Sequence, residues 1–132
     1  MIYGIGIDII EIERIQKAIQ KYSFLKRTFT QYEIQYYQKK GCHAETLSGL
    51  FAAKEAVSKA IGTGFRSFSP IDIEIQHNEQ NKPSVNLSPK LQEILQQMHI
   101  ANYEFFISIS HCKDYAIAFV VLYTAQKGFQ IS

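Results

Sequence analysis

Met1-Ile-Tyr-Gly-Ile-Gly-Ile-Asp8 opens the chain and decides how the rest must fold. The run is short, β-branched and apolar, which predicts a buried strand. Period-two alternation places Ile2, Gly4, Gly6 and Asp8 on one face, and the two glycines leave that face bare, so that other atoms could approach it closely. Beyond it, Ile9, Ile12, Ile15 and Ile19 recur at helical spacing, while Arg14, Lys17 and Lys21 recur on another face of the same predicted helix. Thr30 with Glu33 has the form of a capping box opening a second helix toward Gly41. A third helix is expected from about Glu45 to Ile61, rich in alanine and closed by Gly62, with a core stripe of Leu50, Ala53, Val57 and Ile61. Ile71, Ile73 and Ile75 then alternate with polar residues as a half-solvated strand, Asn78–Pro83 turns the chain, and a short strand near Ser84–Leu87 pairs back. Ser88-Pro89 begins a helix toward Ala101. Phe105–His111 and Tyr115–Tyr123, joined by Cys112-Lys-Asp114, form an antiparallel hairpin. The expected order is βαααββαββ, an α+β fold with antiparallel sheet, as a single domain over residues 1–132.

Composition narrows the class. The 132 residues are 46% apolar and 20% charged, and nine Phe with eight Tyr supply ample core material. Disordered and disulfide-dependent classes are excluded. The longest apolar run, Ala116–Tyr123, is far below the ~20 residues of a membrane span, and the first residues lack the basic start of a signal peptide. Cys42 and Cys112 have no metal-like spacing and read as free thiols in a reducing compartment, so a cytoplasmic location is expected. Charge is uneven: residues 11–30 carry Arg14, Lys17, Lys21, Lys26 and Arg27 against Glu11 and Glu13, net +3 in a chain of net +2. Such a patch either serves an acidic partner or is simply a solvated face. It lacks the aromatic interleaving of a nucleic-acid platform.

Four features could carry chemistry. Asp8 ends an apolar strand, where a carboxylate is costly unless a cation or donors meet it; capping the following helix is the competing reading. Phe51, Glu55 and Lys59 share one stripe of the third helix, where Glu55 and Lys59 read equally as an ordinary i,i+4 pair. The helix runs into Gly62-Thr63-Gly64, whose backbone amides could approach a phosphate. Ser110 and His111 end a strand on opposite faces, which argues against a serine nucleophile, just as the adjacency of His111 and Cys112 argues against a cysteine dyad. The scattered histidines have no zinc spacing. Two separated carboxylates, a lysine and a glycine turn without an activated nucleophile suit magnesium–phosphate chemistry, in which positioning and charge neutralisation dominate.

Three segments together resemble the holo-[acyl-carrier-protein] synthases of the 4′-phosphopantetheinyl transferase superfamily. They are Gly4-Ile-Gly-Ile-Asp8 with Ile12-Glu-Arg-Ile15; Phe51-Ala-Ala-Lys-Glu-Ala56 with Lys59-Ala60 and Gly62-Thr-Gly64; and Ser108-Ile-Ser-His111 with Tyr115-Ala116. The resemblance implies transfer of 4′-phosphopantetheine from coenzyme A to a serine of apo acyl carrier protein in fatty acid biosynthesis, releasing adenosine 3′,5′-bisphosphate, with Mg²⁺ as cofactor. It implies Asp8 and Glu55 as metal ligands and, with Lys59, as the catalytic group. Lys59 becomes a phosphate contact; Gly62, Thr63, Gly64, Ser110 and His111 become part of the coenzyme A pocket. Arg14 becomes a carrier-protein contact, which the charge pattern extends to Lys17, Lys21 and Arg27 because acyl carrier proteins are acidic. A homotrimer with coenzyme A between subunits is also implied. Leu50 departs from the pattern, since the family often has arginine there; Arg66 and Lys54 are the candidates to replace its contact. The proton of the carrier serine has two possible acceptors, a carboxylate or a water held by the metal. The alternative from another class is a non-catalytic module gripping an acidic protein through the basic helix.

Overall fold

The computed structural model describes residues 1–125; residues 126–132, the end of the range read as one domain, lie outside them. Strand β1 (Ile2–Glu11) leads into α1 (Ile12–Ala18), α2 (Tyr22–Thr28), α3 (Gln31–Lys39) and the long α4 (Ala44–Ile61). A 3-10 turn (Pro70–Asp72) enters the hairpin β2 (Ile73–His77) and β3 (Pro83–Leu87), followed by α5 (Pro89–Gln97), β4 (Tyr103–His111) and β5 (Tyr115–Thr124). The strands form an antiparallel sheet of order β1-β5-β4 and a separate two-stranded β2-β3 sheet. The α+β class and the strand order along the chain are as expected, with one helix more in the first half.

That extra helix corrects the reading that set Ile9 through Lys21 on one helix and placed nothing between it and Thr30. The chain turns at Ile19–Lys21. The restart as α2 lets Phe24 pack edge-on to Phe29 and against Phe51 of α4, with ring centroids 6.2 Å apart in both pairs. The strand also runs three residues further than Asp8, because Ile9, Ile10 and Glu11 continue the ladder with Ile117, Ala116 and Tyr115. Asp8 is therefore mid-strand, Glu11 occupies the N-cap position of α1, and the capping reading of Asp8 falls. Ile9 stands on the exposed outer face instead of the helical stripe. Ile71 belongs to the 3-10 turn, and the strand proper begins at Ile73.

The bare glycine face positions the site. A Cβ on Gly4 would lie 2.0 Å from the Ala60 carbonyl oxygen, and one on Gly6 would lie 1.9 Å from that of Ala56. Two strand residues span about 6.6 Å and one i,i+4 helical step about 6 Å, so paired glycines match paired alanines along antiparallel axes. Helix α4 thus lies directly on β1. Around it, Leu47, Ala53, Val57 and Ile61 pack with Ala116, Ala118, Val120 and Leu122 of β5 and with Ile73 and Ile75 of β2 in one core.

Helix α3 seals the outer edge of β2 with side chains. The capping box of Thr30 and Glu33 forms as read from the sequence, and Glu33 Oε2 also accepts the Ile75 N–H at 2.7 Å. The Tyr32 hydroxyl accepts from the His77 N–H at 3.2 Å. Glu33 Oε1 meets Lys54 Nζ at 2.8 Å, both side chains wholly buried. Lys54 is thereby unable to stand in for the arginine absent at position 50, and Leu50 is itself buried at 2% exposure.

Candidate functional site

The strand–helix contact brings Asp8, Glu55 and Lys59 together. Asp8 follows Gly4 and Gly6 on the inner face, where its register partner Ala118 leaves room beside it. Lys59 Nζ reaches back to donate to the Ile7 carbonyl at 3.0 Å and to Asp8 Oδ1 at 3.2 Å. The pair is asymmetric: the Asp8 side chain is 18% exposed and that of Lys59 52%. The i,i+4 reading of Glu55 with Lys59 is thus only half of the arrangement, since the lysine donates to groups on β1.

Glu55 completes the group. Burial pushes its carboxyl above the ordinary glutamate value, and the neighbouring Asp8 charge pushes it further. Lys59 and Arg14 pull in the other direction. Two carboxylates that repel each other, one within β1 and one on a face of α4, have the chemistry of an incomplete cation site. No group of three or more histidine, cysteine or acidic side chains suited to a metal occurs among the described residues. A hard divalent ion that keeps waters and takes substrate oxygens fits such a two-carboxylate set. Adjacent to it, α4 ends at Gly62 with φ +100°, and Gly64 has φ +63°; a Cβ at either would meet nothing within 4 Å. The Thr63 hydroxyl donates to the Gly64 carbonyl at 3.0 Å. The turn faces open space, as a ligand-approach site requires.

His111 lies elsewhere. With Ile109 it lines a cleft of about 260 Å³ bounded by Tyr36, Lys40, Leu50, His77 and Asn81. Ser110 points to the opposite side of the sheet, its register partner being Ile117, so this chain does not bring Ser110 and His111 into one pocket. Glu45, Thr46, Gly49 and Leu50 on α4 line the cleft, and Glu55 and Lys59 lie further along the same helix. From Gly49 to Glu55 the rise is about 9 Å. The sequence reading missed Tyr36, Lys40, His77 and Asn81. The Tyr36 and His77 rings stack at 4.1 Å and 3°, and the Tyr36 hydroxyl donates to Asn81 Oδ1 at 2.7 Å. The one signal in the sequence was the turn holding Asn78 and Asn81, where Asn81 takes a left-handed φ of +64°.

The basic residues do converge. Arg14, Lys17, Lys21 and Arg27 line one groove of about 610 Å³ together with Phe24, Glu11 and Glu13. Arg27 sits over the Phe24 ring at 5.7 Å. Lys17 also pairs with Glu13 at 3.8 Å in full solvent, a contact of little energetic weight. Among the described residues, no helix is long and apolar enough to cross a membrane.

An α+β domain presenting paired carboxylates, a lysine and an open glycine turn defines a phosphate-handling class of site. Comparison with known proteins sharpens this. Residues 4–120 match the family described as the 4′-phosphopantetheinyl transferase superfamily. A holo-[acyl-carrier-protein] synthase of Clostridium botulinum (strain Alaska E43 / Type E3) is 52% identical over 123 residues, covering 92% of this chain and 98% of the relative. One from Fusobacterium nucleatum subsp. nucleatum is 52% identical over 122 residues, covering 92% and 99%. Among solved structures, the synthase of Neisseria meningitidis superposes with a TM-score of 0.84 at 36% identity, covering 94% of this chain and all of that one. That of Bacillus anthracis, in complex with CoA (3′,5′-ADP), gives 0.78 at 39% identity, covering 95% and 99%. The chain belongs to the holo-[acyl-carrier-protein] synthases of this superfamily. It is an enzyme, which sets aside the reading as a non-catalytic basic module.

Proposed function

We propose that the chain transfers 4′-phosphopantetheine from coenzyme A to a serine of apo acyl carrier protein, in support of fatty acid biosynthesis, using Mg²⁺ held by Asp8 and Glu55. The observation that carries the reading is the convergence of Asp8, Glu55 and Lys59 at one end of the β1–α4 contact. The family assignment fixes the reaction class; the roles of individual residues rest on geometry and charge.

In the reaction the carrier serine Oγ bonds to the phosphorus next to the pantetheine, and the pyrophosphate P–O bond breaks. Adenosine 3′,5′-bisphosphate leaves with the electron pair, and the serine proton passes to a base. Asp8 and Glu55 would hold the metal, which supplies charge neutralisation at the pyrophosphate when bound. Lys59 is fixed by Asp8 and the Ile7 carbonyl, so its ammonium offers a preorganised contact to a phosphate oxygen. The Gly62-Thr63-Gly64 turn leaves room for the pyrophosphate to approach backbone closely. The nucleotide end fits the His111 cleft, where Lys40 supplies positive charge and the Tyr36–His77 stack a flat wall.

Acyl carrier protein docks on the groove of Arg14, Lys17, Lys21 and Arg27, where its acidic surface meets clustered cations. Arg14 links the two regions, since its charge reaches Glu55. The outer face of the larger sheet supports a homotrimer: Ile5, Ile7 and Ile9 are 54–61% exposed beside Phe106 and Phe119, a contiguous apolar surface of the kind that self-association covers. Asp8 sits on β1, an edge strand, so a neighbouring copy can supply the second wall of the pocket. One domain over 1–132 acting in the cytoplasm completes the reading.

The test is the intact mass of apo acyl carrier protein after incubation with the protein, coenzyme A and Mg²⁺, with and without chelator. A metal-dependent gain of one phosphopantetheine group is expected, and it should vanish in folded Asp8→Ala and Glu55→Ala variants. Near-normal transfer by either variant would overturn the ligand assignment.

A further inference from the structure

We propose that Glu33 and Lys54, which touch no substrate, are positioning residues that hold the three walls of the nucleotide cleft in register and thereby set affinity for coenzyme A. The Lys54 ammonium donates to Glu33 Oε1 at 2.8 Å, to the Pro70 carbonyl at 2.9 Å and to the Ile73 carbonyl, so all three of its protons are used. Glu33 Oε1 also accepts the Thr30 N–H at 2.8 Å, and Oε2 accepts the Ile75 N–H at 2.7 Å. A single closed network therefore ties α3, α4 and the start of β2.

Stability alone is a poor reason for such a pair. Taking two charges out of water costs about what their attraction returns, and well-packed apolar replacements are often neutral or better. Here burial pushes Glu33 up and Lys54 down, each toward its neutral form, against their mutual attraction. What the pair supplies is a fixed geometry, and periodicity shows what is fixed. Tyr36 lies three residues beyond Glu33 on the same face of α3. Leu50 lies one turn before Lys54 on α4. His77 lies two residues beyond Ile75 on the same side of β2. Each tie point is thus the next position along one face from a residue lining the cleft. Tyr36 and His77 further stack on each other, so a slip of α3 against β2 would open that wall. Loss of the tie should loosen nucleotide binding and leave Asp8 and Lys59 in place, because the Gly4 and Gly6 contacts hold β1 against α4 there.

The inference rests on the nucleotide occupying this cleft, and the experiment separates the two. Binding of adenosine 3′,5′-bisphosphate is measured calorimetrically for the native protein, Glu33→Gln, and the apolar pair Glu33→Leu with Lys54→Met, with melting curves and steady-state kinetics alongside. Folded variants should show bisphosphate affinity and KM for coenzyme A weakened about tenfold, with kcat and KM for the carrier within about twofold, the pattern of lost ground-state binding. A folded variant binding bisphosphate as the native protein does would overturn the proposal. Where neither variant folds, hydrogen exchange of the native protein decides. By reciprocity of linked equilibria, bisphosphate must slow exchange of the Ile75 amide, and unchanged exchange would overturn the proposal. Failure of the native protein to bind bisphosphate at all would refute the placement of the nucleotide instead.

Discussion

Replacing Gly6 by alanine adds one methyl group where the structure has no space for one. The new Cβ would stand 1.9 Å from the Ala56 carbonyl oxygen, 2.8 Å from its carbon and 3.0 Å from the Ala60 nitrogen. All three are backbone atoms of α4, so no side chain can swing aside. Restoring even a tight 3.0 Å separation takes a retreat of about 1.1 Å by the helix or the strand. Overpacking of this kind costs about 1–3 kcal/mol, which at roughly 4 °C per kcal/mol lowers the melting midpoint by about 4–12 °C. The same retreat carries Lys59 and Glu55 away from Asp8. The Lys59–Asp8 contact, now 3.2 Å, would pass the ~4 Å limit of an ion pair. A misplacement of about 1 Å in a catalytic group can cost about 100-fold in rate. Calorimetry and the transfer assay on Gly6→Ala therefore report on one displacement. A Gly6→Ala protein that melts within about 1 °C of the native one and transfers within twofold would refute the claim that the glycine face sets the site.

Glu55 separates activity from stability. An acid whose folded pKa stands above its unfolded value adds stability at low pH and loses it as pH rises through the folded value. Glu55 is raised, so metal-free Glu55→Gln should melt slightly higher than the native protein at neutral pH, by about 1–3 °C after solvent screening, with the difference vanishing in acid; a lower midpoint at neutral pH would count against the repulsion. For the same reason the Mg²⁺ concentration giving half-maximal transfer should climb as pH falls toward the raised Glu55 value, earlier than an ordinary carboxylate would require. Charge reversal at Lys21 or Arg27 should raise KM for the carrier about 2–5-fold each, the equivalent of 0.5–1 kcal/mol. The effect should fade in high salt, with KM for coenzyme A unmoved. Lys54→Ala, which leaves Glu33 buried without its counter-charge, should lose about 3–5 kcal/mol in denaturant unfolding, and a loss under about 1 kcal/mol would mean that Glu33 is neutral in the native protein.

The sequence was legible where periodicity and special residues act locally. Paired glycines marked a face that other atoms could approach closely, which α4 fills, the Thr30–Glu33 capping box formed, and alternation placed Ser110 and His111 on opposite faces of β4. The break between α1 and α2 was invisible because Phe24 gains its reason only from Phe51, far along the chain. Asp8 was misplaced at a strand end because the ladder that extends β1 to Glu11 depends on β5. The cleft residues Tyr36, Lys40, His77 and Asn81 come from separate elements and share no spacing. Lys54, beside Glu55 in an outwardly charged stretch, gave no hint that it is buried against Glu33.

The cover that α3 places over β2 bears on how copies of this chain can associate. An uncovered strand exposes a row of amides and carbonyls that templates pairing with another chain. Here the Ile75 amide is taken by Glu33 and that of His77 by Tyr32, so the hairpin presents no ready docking rail along those positions. Strand-by-strand addition of another chain at this edge of the hairpin is thereby disfavoured. Substitutions at Tyr32 and Glu33 accordingly threaten solubility as well as folding, through polymers that grow at a newly opened edge.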